Sequence, residues 1–128
     1  RLGAAAGGLP KCMVPVAGRP FLEQVLERLA RTGAQRVVIC RAHLGDVIEQ
    51  GLGDGRRFGI RIDYSDEGAV PVGTAGALRR ALPLLGERFL AMYGDTYLRV
   101  DYGAVARAHQ ASGMLGLMTV LRNAGRWG

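Results

Sequence analysis

The sequence has few features of a membrane or secreted protein. No apolar run approaches the roughly 20 residues that a bilayer-spanning helix needs, and no basic-then-apolar segment of signal type opens the chain. Two cysteines are present, Cys12 and Cys40, without metal-type spacing. We therefore expect a cytoplasmic protein with two reduced thiols and no membrane partner, in preference to a disulfide-bonded one.

Aromatic residues are also scarce, at 6% of 128 residues. The net charge of +6 and the pI of about 10.1 suit a polyanionic ligand. The arginines, however, are scattered singly or in pairs, and a stacking RNA-binding module should expose aromatic rings on a basic face. The pattern lacks such a face, so we expect a nucleotide as the partner and no nucleic acid.

Apolar residues (48%) and charged residues (22%) are balanced as in globular proteins, and no internal repeat is visible. The length suffices for one domain with a core. We interpret residues 1–128 as a single, partial domain, and a homo-oligomer is compatible with the sequence.

Helical and strand-like patterns alternate along the chain. Pro20 opens an amphipathic helix that Gly33 ends. Further helices are predicted over 44–52, 74–82 and 101–111, the last with Asp101 as N-cap, and strands over 36–40, 60–64, 89–93 and 114–121. This order predicts a three-layer α/β domain with a mostly parallel sheet, in which ligands bind beyond the carboxyl ends of the strands.

Asp95 stands where that rule places a ligand. It follows a predicted apolar strand and Gly94, which has no side chain to crowd a substrate. A triphosphate is handled with Mg²⁺, which takes one or two carboxylates and phosphate oxygens. Alternatively, Asp95 merely caps a turn, since Gly-Asp is common in turns.

The glycine-rich loop before the helix at 74–82 is the second candidate. Gly73 and Thr74 could turn backbone amides toward a ligand and let a base lie against the main chain. The alternative is an ordinary helix with Thr74 as N-cap. Glu67, in the same loop, could accept hydrogen bonds from a base edge, or be a solvated loop residue.

Lys11 and Arg1 lie on an irregular N-terminal stretch. Cations at such positions could hold phosphates. The alternative, which the local pattern by itself favours, is two solvated surface side chains.

Four blocks taken together resemble the sugar-1-phosphate nucleotidyltransferases, especially those that make GDP-mannose or GDP-heptose. The blocks are PKCMVPVAGRPFLE at 10–23, GDG through FGI to IDYS at 53–65, GTAGAL at 73–78 and GDTY at 94–97. The resemblance implies a Rossmann-like three-layer α/β/α fold. It also implies Mg²⁺-dependent transfer of a nucleotidyl group from a nucleoside triphosphate, with GTP expected, to a sugar 1-phosphate, with release of pyrophosphate.

The same resemblance assigns roles to residues. Asp95 matches the metal-binding aspartate, and Lys11 and Arg1 match the phosphate-contacting cations of the catalytic site. Gly73 and Thr74 match the loop that packs on the base, and Glu67 lies near its base-contacting position. The family's first strand and glycine-rich phosphate loop would precede Arg1, so we expect the 128-residue chain by itself to be an incomplete domain that does not turn over.

A non-catalytic subunit with this fold is the competing interpretation. Such regulatory or binding relatives often lose the Gly-Asp site, whereas Gly94 and Asp95 are both present here. Fold by itself does not give function, but this site favours an enzyme.

Overall fold

A computed structural model describes residues 7–68, 70, 72–120, 122 and 125. The chain divides into two compact units, Arg1–Leu98 and Arg99–Gly128. In the described part of the chain, no helix is both long enough and apolar enough to cross a membrane.

The first unit begins with a small hairpin and a helix. Strands β1 (Pro15–Val16) and β2 (Arg19–Pro20) pair antiparallel, and α1 (Phe21–Arg31) follows at once. The hairpin turns through Ala17 and Gly18, both with positive φ (52° and 80°), as two-residue hairpin turns require. The helix begins one residue after Pro20 and ends before Gly33, as the sequence predicts.

A parallel pair of strands forms the sheet of this unit. Strand β3 (Arg36–Arg41) pairs in register with β4 (Arg61–Asp66), and α2 (Gly45–Leu52) lies between them in sequence. A short 3₁₀ turn (Arg56–Phe58) precedes β4. Helix α3 (Gly73–Ala81) follows, and it gives way at Ala81 to a 3₁₀ turn (Leu82–Leu84). The helix–strand alternation and the parallel pairing are as predicted.

The core lies between α1, α2 and the sheet. Leu26 and Leu52 are its most deeply buried large side chains, at 1% and 2% exposure. The other buried members of the cluster are Met13, Leu22, Val25, Ile48, Ile60 and Ile62. Burial of each such side chain is worth roughly 1.5–3 kcal/mol, so this cluster fixes the positions of the elements whose ends carry the candidate site.

Two predicted strands are absent from the described residues. The segment at 89–93 forms no ladder, and Phe89 and Leu90 are 44% and 50% exposed. Within the described part of the chain, no neighbouring strand offers backbone groups to it, and a strand exists only through such pairing. Its Met92 nevertheless packs against the core cluster.

The second unit consists of α4 (Tyr102–Ser112) and the segment after it. Asp101 is the N-cap, and its Oδ1 accepts a hydrogen bond from the Ala104 amide at 3.0 Å, as predicted. The segment 114–120 is not a strand among the described residues, and Leu115 is fully exposed.

Candidate functional site

Lys11 is presented by a short turn that is anchored in the core. It begins the 3₁₀ turn Lys11–Met13, which is closed by a 2.8 Å hydrogen bond from the Met13 amide to the Pro10 carbonyl. Met13 is buried, and Cys12 packs partly against the same cluster. With the next two residues held inside, the Lys11 side chain is left 56% exposed.

Asp95 lies on a turn that is fastened on both sides. Met92 packs on the core before it, and the Thr96 amide donates to the Tyr93 carbonyl at 3.2 Å across it. After it, Tyr97 is held by Arg28 of α1 through a 3.1 Å hydrogen bond to its hydroxyl. The same guanidinium stands 5.1 Å from the centre of the Tyr97 ring.

These two turns bring Lys11 and Asp95 together. The Lys11 Nζ lies 3.0 Å from the Asp95 Oδ2, although 84 positions separate the residues. Both side chains are about half exposed (56% and 41%), and exposed ion pairs contribute only about 0–1 kcal/mol to stability. The pair therefore matters more for what it can bind than for the fold.

Gly94 lies beside this pair, on the side of the core. Its φ is not positive, and a Cβ built on it would lie 3.8 Å from both the Cys12 Cβ and the Leu22 Cδ1. These are ordinary van der Waals distances, so neither the backbone nor the packing demands glycine here.

Cys12 lies next to the pair but is poorly suited to be a nucleophile. Burial raises the pKa of its thiol, and the negative charge of Asp95 raises it further. The thiolate is the reactive form, so Cys12 is an inert, packed thiol.

The glycine-rich loop has a geometry different from an ordinary capped helix. Helix α3 begins at Gly73, whose φ is +69°, and its N-cap is Val72, which makes no side-chain cap bond. The interpretation of Thr74 as N-cap is therefore wrong, because Thr74 is already inside the helix. The first turn also contains no acidic residue whose charge would compete with an anion at this helix end.

Gly76 serves packing. A Cβ at Gly76 would lie 2.6 Å from the Val72 Cβ, a distance that would force the backbone apart. The two glycines of this loop thus differ in role: Gly73 provides the left-handed conformation at the helix start, and Gly76 lets the helix close onto the loop.

Glu67 extends the parallel ladder by one hydrogen bond. Its amide donates to the Arg41 carbonyl at 2.8 Å, just beyond the last strand pair. The half-buried residue lies at the carboxyl edge of the sheet, and its charge raises the pKa of the Cys40 thiol, an effect second to that of burial. This is the edge at which α/β sheets bind ligands.

The predicted site residues thus fall into two groups. One is the Lys11–Asp95 pair. The other is Glu67 with Gly73 and Thr74, at the end of β4 and the start of α3. Arg1 lies outside the described residues. Arg28 and Tyr97, which hold the Asp95 turn, were not predicted, although an aromatic residue two positions after Asp95 was a usable signal.

The side chains around Asp95 fit a Mg²⁺ site in which the substrate and water supply most of the ligands. Among the described residues, no group of three or more His, Cys, Asp or Glu side chains is placed so that it could hold a metal ion by itself. Asp95 offers a half-exposed carboxylate. That suits a Mg²⁺ ion held chiefly by substrate phosphates and water, with one or two protein carboxylates.

Comparison with known proteins shows the family to which this chain is similar. The profile described as nucleotidyl transferase matches residues 2–126. N-acetylmuramate alpha-1-phosphate uridylyltransferase of Neisseria meningitidis is 44% identical over 96 residues, covering 74% of this chain and 42% of that protein. D-glycero-alpha-D-manno-heptose 1-phosphate guanylyltransferase of Campylobacter jejuni is 33% identical over 101 residues, covering 79% and 45% respectively.

Comparison with solved structures gives the same result. The crystal structure of HddC from Yersinia pseudotuberculosis matches with a TM-score of 0.75 and 31% identity, covering 84% of this chain and 48% of that one. The HddC complex with GMP-PN matches equally well, at 30% identity. The chain thus spans about half, or less, of the length of these relatives. It belongs to the nucleotidyl transferase family, and the relatives it matches are sugar-1-phosphate nucleotidyltransferases.

Proposed function

We propose that the protein containing this chain transfers a nucleotidyl group from a nucleoside triphosphate to a sugar 1-phosphate and releases pyrophosphate. The observation that carries the proposal is the Lys11–Asp95 pair, in which a half-exposed cation and a half-exposed carboxylate meet 3.0 Å apart. Family membership and the named activities of the relatives support the same reaction.

The reaction needs little covalent work from the protein. A phosphate oxygen of the sugar phosphate attacks the α-phosphorus of the triphosphate, a new P–O bond forms, and the bond to the β-phosphate oxygen breaks, so that pyrophosphate leaves. Negative charge is spread over the phosphoryl oxygens throughout. Fixed cations stabilise that charge, and we assign this role to Lys11 and also to Arg1, which lies outside the described residues.

Asp95 is proposed to hold Mg²⁺ together with the phosphates. When bound, Mg²⁺ would neutralise phosphate charge and orient the triphosphate. Because the Lys11 ammonium already contacts the Asp95 carboxylate, the two side chains are positioned to divide the work. The carboxylate would face the metal, and the ammonium would turn to a phosphate oxygen.

The base is proposed to lie over the loop that contains Glu67 and the start of α3. The first turn, with Gly73 and Thr74, carries no acidic residue, so its backbone amides suit contact with acceptor atoms of the nucleotide. The carboxylate of Glu67 can accept from both N1–H and the 2-amino group of guanine, which favours GTP.

Uracil is the second candidate base, because of the 44% identity to a uridylyltransferase. Uracil presents one such donor where guanine presents two. A direct comparison of GTP and UTP separates the two bases.

We also infer a cytoplasmic location. The described cysteines Cys12 and Cys40 are both free thiols, as in a reducing compartment, and nucleoside triphosphates are cytoplasmic substrates. Cell fractionation tests this, and recovery of the protein from an oxidising compartment would contradict it.

The test is a screen for pyrophosphate release by the protein made from the complete reading frame. The four nucleoside triphosphates are combined with a panel of sugar 1-phosphates, with and without Mg²⁺. We expect release that needs both substrates and the metal, with GTP or UTP preferred. Tight nucleotide binding without any pyrophosphate release across the panel would instead support a non-catalytic binding subunit.

A further inference from the structure

Arg41, the last residue of β3, has an unusually enclosed guanidinium. Its side chain is 13% exposed, and carboxylates from two elements converge on it. Its contacts are Nη1 to Asp46 Oδ1 at 3.3 Å, Nη1 to Glu49 Oε2 at 2.5 Å and Nε to Asp66 Oδ1 at 2.8 Å. Asp46 and Glu49 belong to α2, and Asp66 ends β4, so one side chain joins three elements.

The local backbone accommodates this side chain. A Cβ at Gly45 would lie 2.8 Å from the Arg41 Cδ, so the glycine makes room for it. Leu44 has a φ of +63°, a conformation uncommon for a non-glycine residue. The guanidinium also stands 5.4 Å from the centre of the Tyr64 ring. A solvated surface arginine would need none of these adjustments.

Arg41 is tied to the end of β4 through its side chain and its main chain. The side chain donates a hydrogen bond from Nη2 to the Asp66 carboxylate at 3.2 Å, and Nε lies 2.8 Å from the same carboxylate as an ion-pair contact without hydrogen-bond geometry. The main-chain carbonyl accepts the Glu67 amide hydrogen bond at 2.8 Å. The Arg41 side chain therefore holds the residue next to Glu67, and the Arg41 main chain holds Glu67 itself.

Charge gives Arg41 a second effect. It is one cation facing three carboxylates at the sheet edge where the base of the nucleotide is proposed to lie. Without it, Asp46, Glu49 and Asp66, which are 90%, 49% and 67% exposed, would lose the cation that offsets part of their mutual repulsion.

We propose that Arg41 is a positioning residue for nucleotide binding: through Asp66 it sets the place of the neighbouring Glu67, and it offsets part of the charge of the acidic cluster beside it. The inference rests on the proposed function, because it presumes that the Glu67 loop receives the base. Arg41 acts through other residues and does not itself reach the substrate.

The test compares Arg41→Lys and Arg41→Met with Arg36→Met in the complete protein. Arg36 begins the strand that Arg41 ends. It joins the same two strands through an ion pair to Asp63, but it lies toward the amino-terminal end of the strands. We expect both Arg41 variants to raise the nucleotide KM about tenfold or more, the scale of a lost charge-assisted hydrogen bond. The kcat should stay within about threefold, with Arg41→Lys the milder change, and Arg36→Met should leave the KM unchanged.

Amide hydrogen exchange supplies a readout that does not need turnover. Loss of Arg41 should speed exchange at the Glu67 amide about tenfold or more, whereas the amide of Val37 should keep its rate. Unchanged Glu67 exchange, or an equal KM rise in Arg36→Met, would overturn the inference. A wild-type protein that neither binds nor turns over nucleotide would sink the proposed function, and with it the role assigned here to Arg41.

Discussion

The Lys11 ammonium lies 3.0 Å from the Asp95 carboxylate across 84 positions of sequence. Each partner is held by a nearby methionine. Met13, close to Lys11, is buried in the core cluster, and Met92, close to Asp95, packs against that cluster. The contact is thus a product of the fold, and it joins the two residues that the resemblance assigns to phosphate and metal.

Asp95→Asn should lower turnover of the complete enzyme by about a hundredfold or more, because a carboxylate that holds the metal is replaced by a neutral amide of the same shape. Thermal unfolding should be unchanged, since the pair it breaks is exposed. Asp54→Asn is the matched control, because Asp54, like Asp95, pairs with an exposed cation, in this case Arg56 at 3.0 Å. Near-normal turnover of Asp95→Asn would contradict the metal assignment.

Lys11→Met should weaken triphosphate binding and slow the reaction, since it removes a cation from the phosphates. Lys11→Arg should restore part of the loss by returning the charge. Steady-state kinetics with nucleotide varied at saturating sugar phosphate will measure this. Equal kinetics in wild type and Lys11→Met would show that Lys11 is only a surface cation.

Gly94→Ala should fold normally but bind nucleotide poorly. The added Cβ lies at van der Waals distance, 3.8 Å, from Cys12 and Leu22, and we expect it to crowd a nucleotide bound at the neighbouring Asp95. Gly86→Ala is a control in which the new Cβ also meets nothing closer than 3.9 Å. Calorimetry of unfolding and of nucleotide binding should separate the two effects, and unaltered binding in Gly94→Ala would show that no ligand approaches there.

Asp63 should make stability depend on pH in the acid range. The hydrogen bond from Arg36 lowers the pKa of the Asp63 carboxyl below its ordinary value of 3.8, and Arg61 adds to the effect. A carboxyl whose pKa is lower in the folded state than in the unfolded state stabilises the fold at pH values above its unfolded-state pKa. That stabilisation is lost as the pH falls through the folded-state pKa. The stability difference between wild type and Asp63→Asn should therefore be constant above about pH 5 and shrink below about pH 4.

Denaturant unfolding across this pH range measures that difference. The same comparison in an Arg36→Met background serves as the control, where the pH-dependent part should be smaller. A difference that grows toward acid pH would reverse the sign and refute the assignment.

Much of the fold followed from local signals. Pro20 and Gly33 delimit α1, and Asp101 caps α4, because these residues act on their own few neighbours. The segment 89–93 has the composition of a strand, but strand formation needs a partner, and none is present among the described residues. Composition therefore predicted its apolar character correctly and its pairing wrongly.

Two residues of the candidate site were singled out by the sequence motifs, and their roles stay predictions. Asp95 and Lys11 stood out in the motifs, and the structure places them in contact. Arg41 did not stand out, because its enclosure depends on carboxylates from separate elements and on the room left by Gly45. Such convergence has no signature in the linear order of residues.

The β3–β4 ladder also has a kinetic consequence. Every partner is 25 positions away, Arg36 opposite Arg61 and Arg41 opposite Asp66, so the ladder must close a long loop before it gains any bond. The α2 helix inside that loop has eight residues, and isolated helices shorter than about 12–15 residues are marginal in water. We therefore expect helix and ladder to form in one cooperative step, so that the sheet edge carrying Glu67 forms and unfolds together with them.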